Sequence, residues 1–171
     1  MYVMPGEDAT LDCTIYNLGD STDHATWVYE ETSTIVANIY PTGTGNASPG
    51  YGVDTSTSNR YDLIVYDITL DGSDGEYDCY FSLDNNPDGE VGKLVVLDNV
   101  DSVDIVDLYD DQKVDIIAGE TTQFTCKASD GNPAAELTWT IGDTNITEYS
   151  TYTTQVSDNN DKLHNCMSVL N

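Results

Sequence analysis

The sequence predicts an all-β protein built as two disulfide-pinned β-sandwiches in tandem. Two cysteine pairs each enclose a tryptophan, which follows the first cysteine by 14 residues in one case and by 13 in the other. These residues are Cys13, Trp27 and Cys79, then Cys126, Trp139 and Cys166. In such a sandwich a cystine bridges the two sheets and the indole packs against it. Short β-rich runs separated by Gly, Pro, Asn and Asp recur throughout, and no stretch has a sustained helical period.

The length of 171 residues suits two small domains, and we predict them at 1–98 and 99–171. Spacing alone leaves three pairings of the four cysteines open. The repeated Cys-Trp-Cys order favours Cys13 with Cys79 and Cys126 with Cys166, with Trp27 and Trp139 in the two cores. Each bridge would contribute about 4 kcal/mol in the chain-entropy model.

The first domain is predicted to contain six principal strands, with room for two more before the second cysteine. Their ranges are 9–16, 25–31, 34–40, 60–70, 76–83 and 91–97, and residues 98–101 form the expected hinge. The second domain is predicted to begin with a strand pair in 105–117. Its remaining strands are expected at 121–128, 137–141, 151–156 and 163–169, the last of them closing the disulfide from the opposite sheet.

The chain is strongly acidic, with 31 acidic and five basic residues and a formal net charge of −26. This charge would repel nucleic acid and the anionic surface of a membrane, so neither is an expected partner. No apolar run is long enough to span a bilayer, and the first residues do not resemble a signal peptide. The sequence looks like an excised ectodomain.

Disulfides indicate an oxidising compartment, and two glycosylation acceptor sequences agree with an extracellular, cell-surface or secreted protein. They begin at Asn46 and Asn145, both in polar stretches that we predict to be loops or loop edges.

Three motifs of the first domain resemble an immunoglobulin V-set domain. They are Pro5-Gly6-Glu7, Trp27-Val28-Tyr29-Glu30 and Asp74-Gly75-Glu76-Tyr77-Asp78-Cys79. The resemblance implies that Tyr77 is a core tyrosine whose hydroxyl returns to nearby backbone. It also implies that a common V-set ion pair is missing, since Ser73 stands where that family usually has an aspartate. The segment 89–97 resembles a J-type closing strand, with Gly89 and Gly92 permitting an edge bulge.

The second domain resembles a C2-set domain through residues 126–133 and 137–139, with His164 at its tyrosine-corner position. A V-set domain with a J-like strand followed by a C2-set domain is similar to the VJ and C2 receptors of invertebrate chordates. It is more broadly similar to butyrophilin-like, nectin-like and junctional adhesion molecules. The resemblance implies a non-enzymatic recognition receptor that binds a protein or glycan ligand. The alternative is homophilic or heterophilic cell adhesion.

The V-set resemblance also predicts an interface through which two such domains pair. Strand alternation from the inward Trp27 and Cys79 points four side chains outward on that face. The predicted interface residues are Val28, Glu30, Asp78, Tyr80, Gly89 and Gly92. Two opposed Glu30 carboxylates would repel by about 1 kcal/mol in water, so homodimerisation is expected to depend on salt and pH. A solvated acidic face is the alternative.

Three loops at one end of the first domain are the predicted ligand-binding loops, at 17–24, 41–50 and 83–88. Their candidate contact residues are Asp20, His24, Asp84, Asn85, Asn86 and Asp88. The segment 84–89 mimics the start of an EF-hand, but Val95 stands where the bidentate glutamate is required, so we reject that site. Six aspartates between 98 and 111 leave a calcium-stiffened linker as a third alternative. No metal, cofactor or catalytic residue is predicted.

Overall fold

The computed structural model describes residues 1–16, 23–81, 90–109 and 112–171. It divides into two compact units, Met1–Val96 and Leu97–Asn171, whereas the sequence places the boundary after residue 98. Strands make up nearly all of the regular structure, which confirms the all-β prediction.

The first unit is a sandwich of a six-stranded and a three-stranded sheet. The six-stranded sheet has the order β1-β9-β8-β3-β4-β5 and the smaller sheet the order β2-β7-β6. The strands are β1 (Tyr2–Val3), β2 (Ala9–Leu11), β3 (Ala25–Tyr29), β4 (Thr34–Ile39), β5 (Gly45–Ala47), β6 (Tyr51–Asp54), β7 (Asp62–Val65), β8 (Gly75–Phe81) and β9 (Glu90–Val96). A four-residue helix, α1 (Leu70–Ser73), precedes β8 and begins at the Thr69 cap, whose side chain accepts a hydrogen bond from the Gly72 N–H.

The predicted disulfide between Cys13 and Cys79 is confirmed, and it joins the segment after β2 to β8. Trp27 lies beside Cys79 in the sheet register and is fully buried. Its indole N–H donates to the Tyr61 carbonyl at 2.8 Å, next to the other sheet. The indole therefore fills the core beside the cystine and satisfies its only polar group there.

The predicted tyrosine corner is also confirmed. The hydroxyl of the fully buried Tyr77 donates to the Ser73 carbonyl at 3.0 Å. Tyr29 stacks on Tyr77 with ring centroids 4.8 Å apart and donates its own hydroxyl to the Asp74 carbonyl at 2.8 Å. Burial is the main cause that raises the pKa of Tyr29 to about 12, and it raises the pKa of Tyr77 further.

Arg60 forms an ion pair with Asp62 and Asp12, at a different place from the pair that the V-set resemblance leaves unfilled at Ser73. Its guanidinium binds both carboxylate oxygens of Asp62, with contacts of 2.8 Å and 2.7 Å, and it also pairs with Asp12. Asp62 is buried and accepts a further hydrogen bond from the Cys13 N–H at 2.9 Å. The pair thus lies directly beside the disulfide and fixes the start of β7 against the segment after β2 that carries Cys13.

The second unit contains a four-stranded antiparallel sheet and a short hairpin. The sheet has the order β10-β11-β15-β14, and β12 pairs only with β13. The strands are β10 (Ser102–Ile105), β11 (Phe124–Gly131), β12 (Thr140–Ile141), β13 (Thr144–Asn145), β14 (Ser150–Val156) and β15 (His164–Leu170). The strand pair predicted in 105–117 is wrong, because β10 ends at Ile105 and the described residues after it up to 117 form no strand.

The predicted hinge at 98–101 is wrong as well. Asp98 exchanges two backbone hydrogen bonds with Asn132, at 2.7 Å and 3.0 Å. The Asp101 N–H donates to the Ser129 carbonyl at 2.9 Å. These residues are therefore bonded to β11 and its extension within the second unit.

The predicted bridge between Cys126 and Cys166 is wrong, and both thiols are free. The cysteines lie on β11 and β15, which are neighbours in one sheet, with Cys126 opposite Ser168 and Cys166 opposite Ala128. The strand at 163–169 was predicted on the opposite sheet. After β11 the chain leaves this sheet for the β12–β13 hairpin and returns to it with β14 and β15. Burial and the nearby Asp104 raise the pKa of the Cys126 thiol.

Trp139 was predicted in the core of the second unit but is only half-buried. Its indole N–H donates to the Ser168 hydroxyl at 2.9 Å, and its backbone N–H donates to the Thr147 hydroxyl at 2.8 Å. Hydrogen bonds to two side chains, with no cystine beside it, hold this tryptophan in place. The two Cys-Trp-Cys patterns therefore produce different local structures.

The free thiols give a direct chemical test of this difference. After denaturation without reductant, the wild-type chain should react with two equivalents of a thiol reagent, and the Cys126→Ser/Cys166→Ser variant with none. Reductant should add two further equivalents, from Cys13 and Cys79. A wild-type chain with no reactive thiol before reduction would contradict the structure of the second unit.

Removing the Arg60 side chain should destabilise the first unit. Arg60→Ala leaves the buried Asp62 carboxylate without its cation, and we expect a clear loss in unfolding free energy. Lys93→Ala is the matched control, because Lys93 pairs with Glu76 at 3.9 Å and both side chains are more than half exposed. The control should change stability by less than about 1 kcal/mol. Urea unfolding monitored by tryptophan fluorescence compares the two, and equal losses would contradict the role of Arg60.

Candidate functional site

The solvent side of the six-stranded sheet carries three of the six predicted interface residues, Val28, Asp78 and Tyr80, and we call it the front face. The strand register places Val91, Asp78, Val28 and Ile35 in one row across β9, β8, β3 and β4. Three strand spacings separate the ends of the row, roughly 14 Å. The front face is therefore wide enough to meet another protein surface.

A second row on the front face is polar and lies nearer the predicted loops. It runs through Tyr80, Thr26, Asn38 and Asn46. The Thr26 hydroxyl donates to the Asn38 side-chain oxygen at 3.0 Å, and Thr26 is buried. This row offers hydroxyl and amide groups that can bind a polar partner.

The apolar groups available on the front face differ from those predicted. Val28 is only 8% exposed, whereas Ile35 is 51% and Val91 is 64% exposed. Sequence analysis missed Ile35 and Val91, because a bulge between Trp27 and Val28 shifts the pairing with β4 and brings Ile35 opposite Val28. Their hydrophobicity was the available signal, but only the register shows that they share a row.

Two of the predicted interface residues do not lie on the front face. β3 ends at Tyr29, and Glu30 begins an exposed 3₁₀ turn, so strand alternation does not extend to it. A Cβ built on Gly92 would point to the Leu11 side chain at 3.4 Å, on the core side of β9. Gly89 lies outside the described residues.

Charge on the front face is mostly acidic. Asp78 lies within the apolar row, and Glu76 and Lys93 are neighbours in the register beyond it. The Lys93–Glu76 pair is long at 3.9 Å and well exposed, so it contributes little to stability. A partner with a cation opposite Asp78 would therefore fit this face better than another acidic surface.

The three predicted ligand loops leave the same end of the sheet. Ala25, at the start of β3, is paired with Ile39 at the end of β4 and with Phe81 at the end of β8. The ring centroids of His24 and Tyr40 lie 5.1 Å apart, so the last residue of the first loop meets the residue that precedes the second loop. The other loop candidates lie outside the described residues: Asp20, Asp84, Asn85, Asn86 and Asp88.

The predicted second loop is not wholly a loop, since β5 lies within it. A polar cavity of about 360 Å³ is lined by residues 41–43, 55 and 57–61, beside the beginning of this segment. It includes the Arg60 side chain, which is already engaged by two carboxylates. The cavity therefore offers mainly hydroxyl and backbone groups to a ligand.

Both predicted glycosylation sites are exposed and lie on strands, Asn46 in β5 and Asn145 in β13. Asn46 is at the outer edge of the front face, opposite Asn38. The Asn145 side-chain oxygen accepts a hydrogen bond from the Thr147 N–H at 2.9 Å. A glycan at Asn46 would cover the β5 side of the front face and leave Val91 accessible.

The described ranges contain no cluster of three or more His, Cys, Asp or Glu side chains able to hold a metal ion. Asp110 and Asp111 of the alternative calcium site lie outside those ranges. His24 and His164 belong to different units. No helix among the described residues has the length and apolar character needed to cross a membrane.

Comparisons with known proteins agree with this architecture. Residues 110–171 match the family model of the CD80-like C2-set immunoglobulin domain. The crystal structure of bovine butyrophilin is similar with a TM-score of 0.60 and 18% sequence identity, over 99% of this chain and 80% of that one. A search of curated protein sequences finds no match. The chain therefore has the fold of tandem immunoglobulin domains, and its second unit contains a C2-set domain match.

The exposures on the front face predict that its apolar residues have separate roles. Val28→Ala should lower the unfolding free energy of the first unit by about 1 to 2 kcal/mol, because it removes buried methyl groups. Ile35→Ala and Val91→Ala should change it by no more than about 0.5 kcal/mol. Denaturant unfolding of the three variants measures these changes in unfolding free energy. Equal losses at all three positions would contradict the exposure of Ile35 and Val91.

Proposed function

We propose that this chain is the ectodomain of a non-enzymatic, immune-type recognition receptor that binds a protein partner through the front face of its first unit. The observation that carries the proposal is the exposure of Ile35 and Val91 at opposite ends of one row. Two exposed apolar side chains on a broad sheet face, surrounded by polar groups, suit the contact centre of a protein interface. The butyrophilin-like fold supports recognition in preference to catalysis.

The finer resemblance to VJ and C2 receptors of invertebrate chordates supports an extracellular location and an immune role. It rests on the sequence motifs around Cys79 and on the J-like strand. The confirmed disulfide between Cys13 and Cys79 supports an oxidising compartment. The loops beside His24 and Tyr40 offer a second contact region on the same unit, where a glycan or protein could add hydrogen bonds.

Pairing of two first units is the second candidate, and the order of the apolar row favours it. With a twofold axis parallel to the strands between Asp78 and Val28, Val91 of one copy would face Ile35 of the other. The same axis places each Asp78 opposite Val28 and avoids direct carboxylate contact. Homophilic adhesion would use this arrangement between cells.

Introducing a negative charge into the apolar row tests the proposal. Ile35→Glu and Val91→Glu should each reduce binding of chain-coated fluorescent beads to cells from the source organism by roughly tenfold or more, because each buries a charge in the contact. Thr10→Glu is the matched control, since Thr10 is exposed on β2 in the other sheet. Flow cytometry compares the bead populations.

Equal binding by the two row variants and the control would overturn the role of the front face. Clustering of beads with one another, lost in the row variants and increased by salt, would identify homophilic adhesion as the function. Binding that survives in the row variants but is lost on deglycosylation of the cells would assign recognition to the loop end and a glycan ligand.

A further inference from the structure

The second unit has a long strand at the edge of its sheet that carries no charge. β14 is paired with β15 on one side only. Its seven residues are Ser150, Thr151, Tyr152, Thr153, Thr154, Gln155 and Val156. Every other edge strand among the described residues has at most four residues, and the two of that length, β6 and β10, each contain an aspartate. β14 has none of the features by which proteins protect a sheet edge.

The free edge of β14 is also uncovered. No backbone hydrogen bond from another element reaches residues 151–155 on the side away from β15, within the part of the chain that the structure describes. Alternate residues of an edge strand direct their N–H and C=O groups outward, so several are available for pairing. Six of the seven residues are exposed. The strand is therefore a ready template for an added strand.

We propose that β14 is a self-association site, at which it pairs antiparallel with β14 of a second copy of this chain. The charge distribution selects this occupant. On a chain of net charge −26, β14 and β15 together contain no Asp, Glu, Lys or Arg. A basic partner would be attracted to the acidic surfaces, whereas another acidic chain meets least repulsion at this uncharged strip.

The sequence of β14 is suited to pairing with itself. When all seven residues are paired, the twofold axis passes through Thr153, and Thr153 of one copy faces Thr153 of the other. Tyr152 then faces Thr154 on one side of the axis and Thr154 faces Tyr152 on the other. Such Thr-Thr and aromatic-β-branched pairs favour antiparallel pairing. The two strands would share roughly six to eight backbone hydrogen bonds.

Acidic residues at the ends of the strand set the expected conditions. Glu148 precedes β14 and Asp158 follows it. Pairing brings Glu148 of one copy toward Asp158 of the other copy. Their repulsion, together with the net charge of both chains, is screened by salt. Association through β14 should therefore strengthen as the salt concentration rises.

Sedimentation velocity and light scattering on the full chain at increasing concentration test the proposal. The wild-type chain should approach twice its mass of 18.7 kDa. Thr153→Lys should weaken the dimer by roughly tenfold or more, because the axis brings the two ammonium groups together. Thr144→Lys, at an exposed position in β13, makes the same change in net charge. It should leave the dimer unchanged or slightly stronger.

A mixture of Thr153→Lys and Thr153→Glu chains should restore the dimer, since the proposed register places lysine opposite glutamate. Amide hydrogen exchange should show protection of β14 that increases with concentration. A wild-type chain that stays monomeric, or equal weakening by Thr153→Lys and Thr144→Lys, would overturn the proposal. A dimer lost only in Ile35→Glu would assign association to the front face.

Discussion

The disulfide between Cys13 and Cys79 is the constraint on which the first unit depends. It joins the segment after β2 to β8, which belongs to the other sheet, and three neighbouring contacts lie beside it. Trp27 fills the space beside Cys79, and the Asp62 carboxylate holds the Cys13 N–H. Arg60 then neutralises that carboxylate. Because strand residues alternate, the inward direction of Trp27 and Cys79 also turns their neighbours toward the front face.

The second unit has no covalent link of this kind among its described residues. Among the residues that the structure describes in this unit, Ala128 and Cys166 are the only buried apolar ones, whereas the large buried cluster lies wholly in the first unit. Hydrogen bonds therefore hold a larger share of its side chains in place than they do in the first unit. Examples are the bonds from the Trp139 indole to Ser168 and from the Tyr152 hydroxyl to the Ala135 carbonyl. The two units therefore combine similar strands with unequal cores, and the first should be the more resistant to unfolding.

The sequence was most informative in the first unit, where the cysteines, the tryptophan and the tyrosine all occupy their expected places. The repeated Cys-Trp-Cys order favoured the disulfide between Cys13 and Cys79 and the buried indole of Trp27, and the V-set resemblance implied the tyrosine corner at Tyr77. The same order misled for Cys126 and Cys166, since a cysteine does not reveal which sheet its strand joins. That choice depends on strand order, a property of the whole unit.

The candidate site was predictable in its location and less so in its contacts. Alternation correctly placed Val28, Asp78 and Tyr80 on one side of the sheet. It could not foresee that a bulge brings Ile35 into the row or that neighbours bury Val28. The contact of Arg60 with Asp12 was equally hidden, because the two residues lie 48 positions apart along the chain. Contacts between distant segments follow from register, which local patterns specify weakly.

The burial of Val28 has a kinetic consequence for any molecule that meets the front face. With the centre of the row already covered, a partner gains two small apolar contacts about 14 Å apart and no deep anchor. Single encounters should then be short, with affinity limited by rapid dissociation. Durable attachment would require several copies to act together, since linked copies rebind before all have separated. A chain of this design would respond to how densely its partner is displayed.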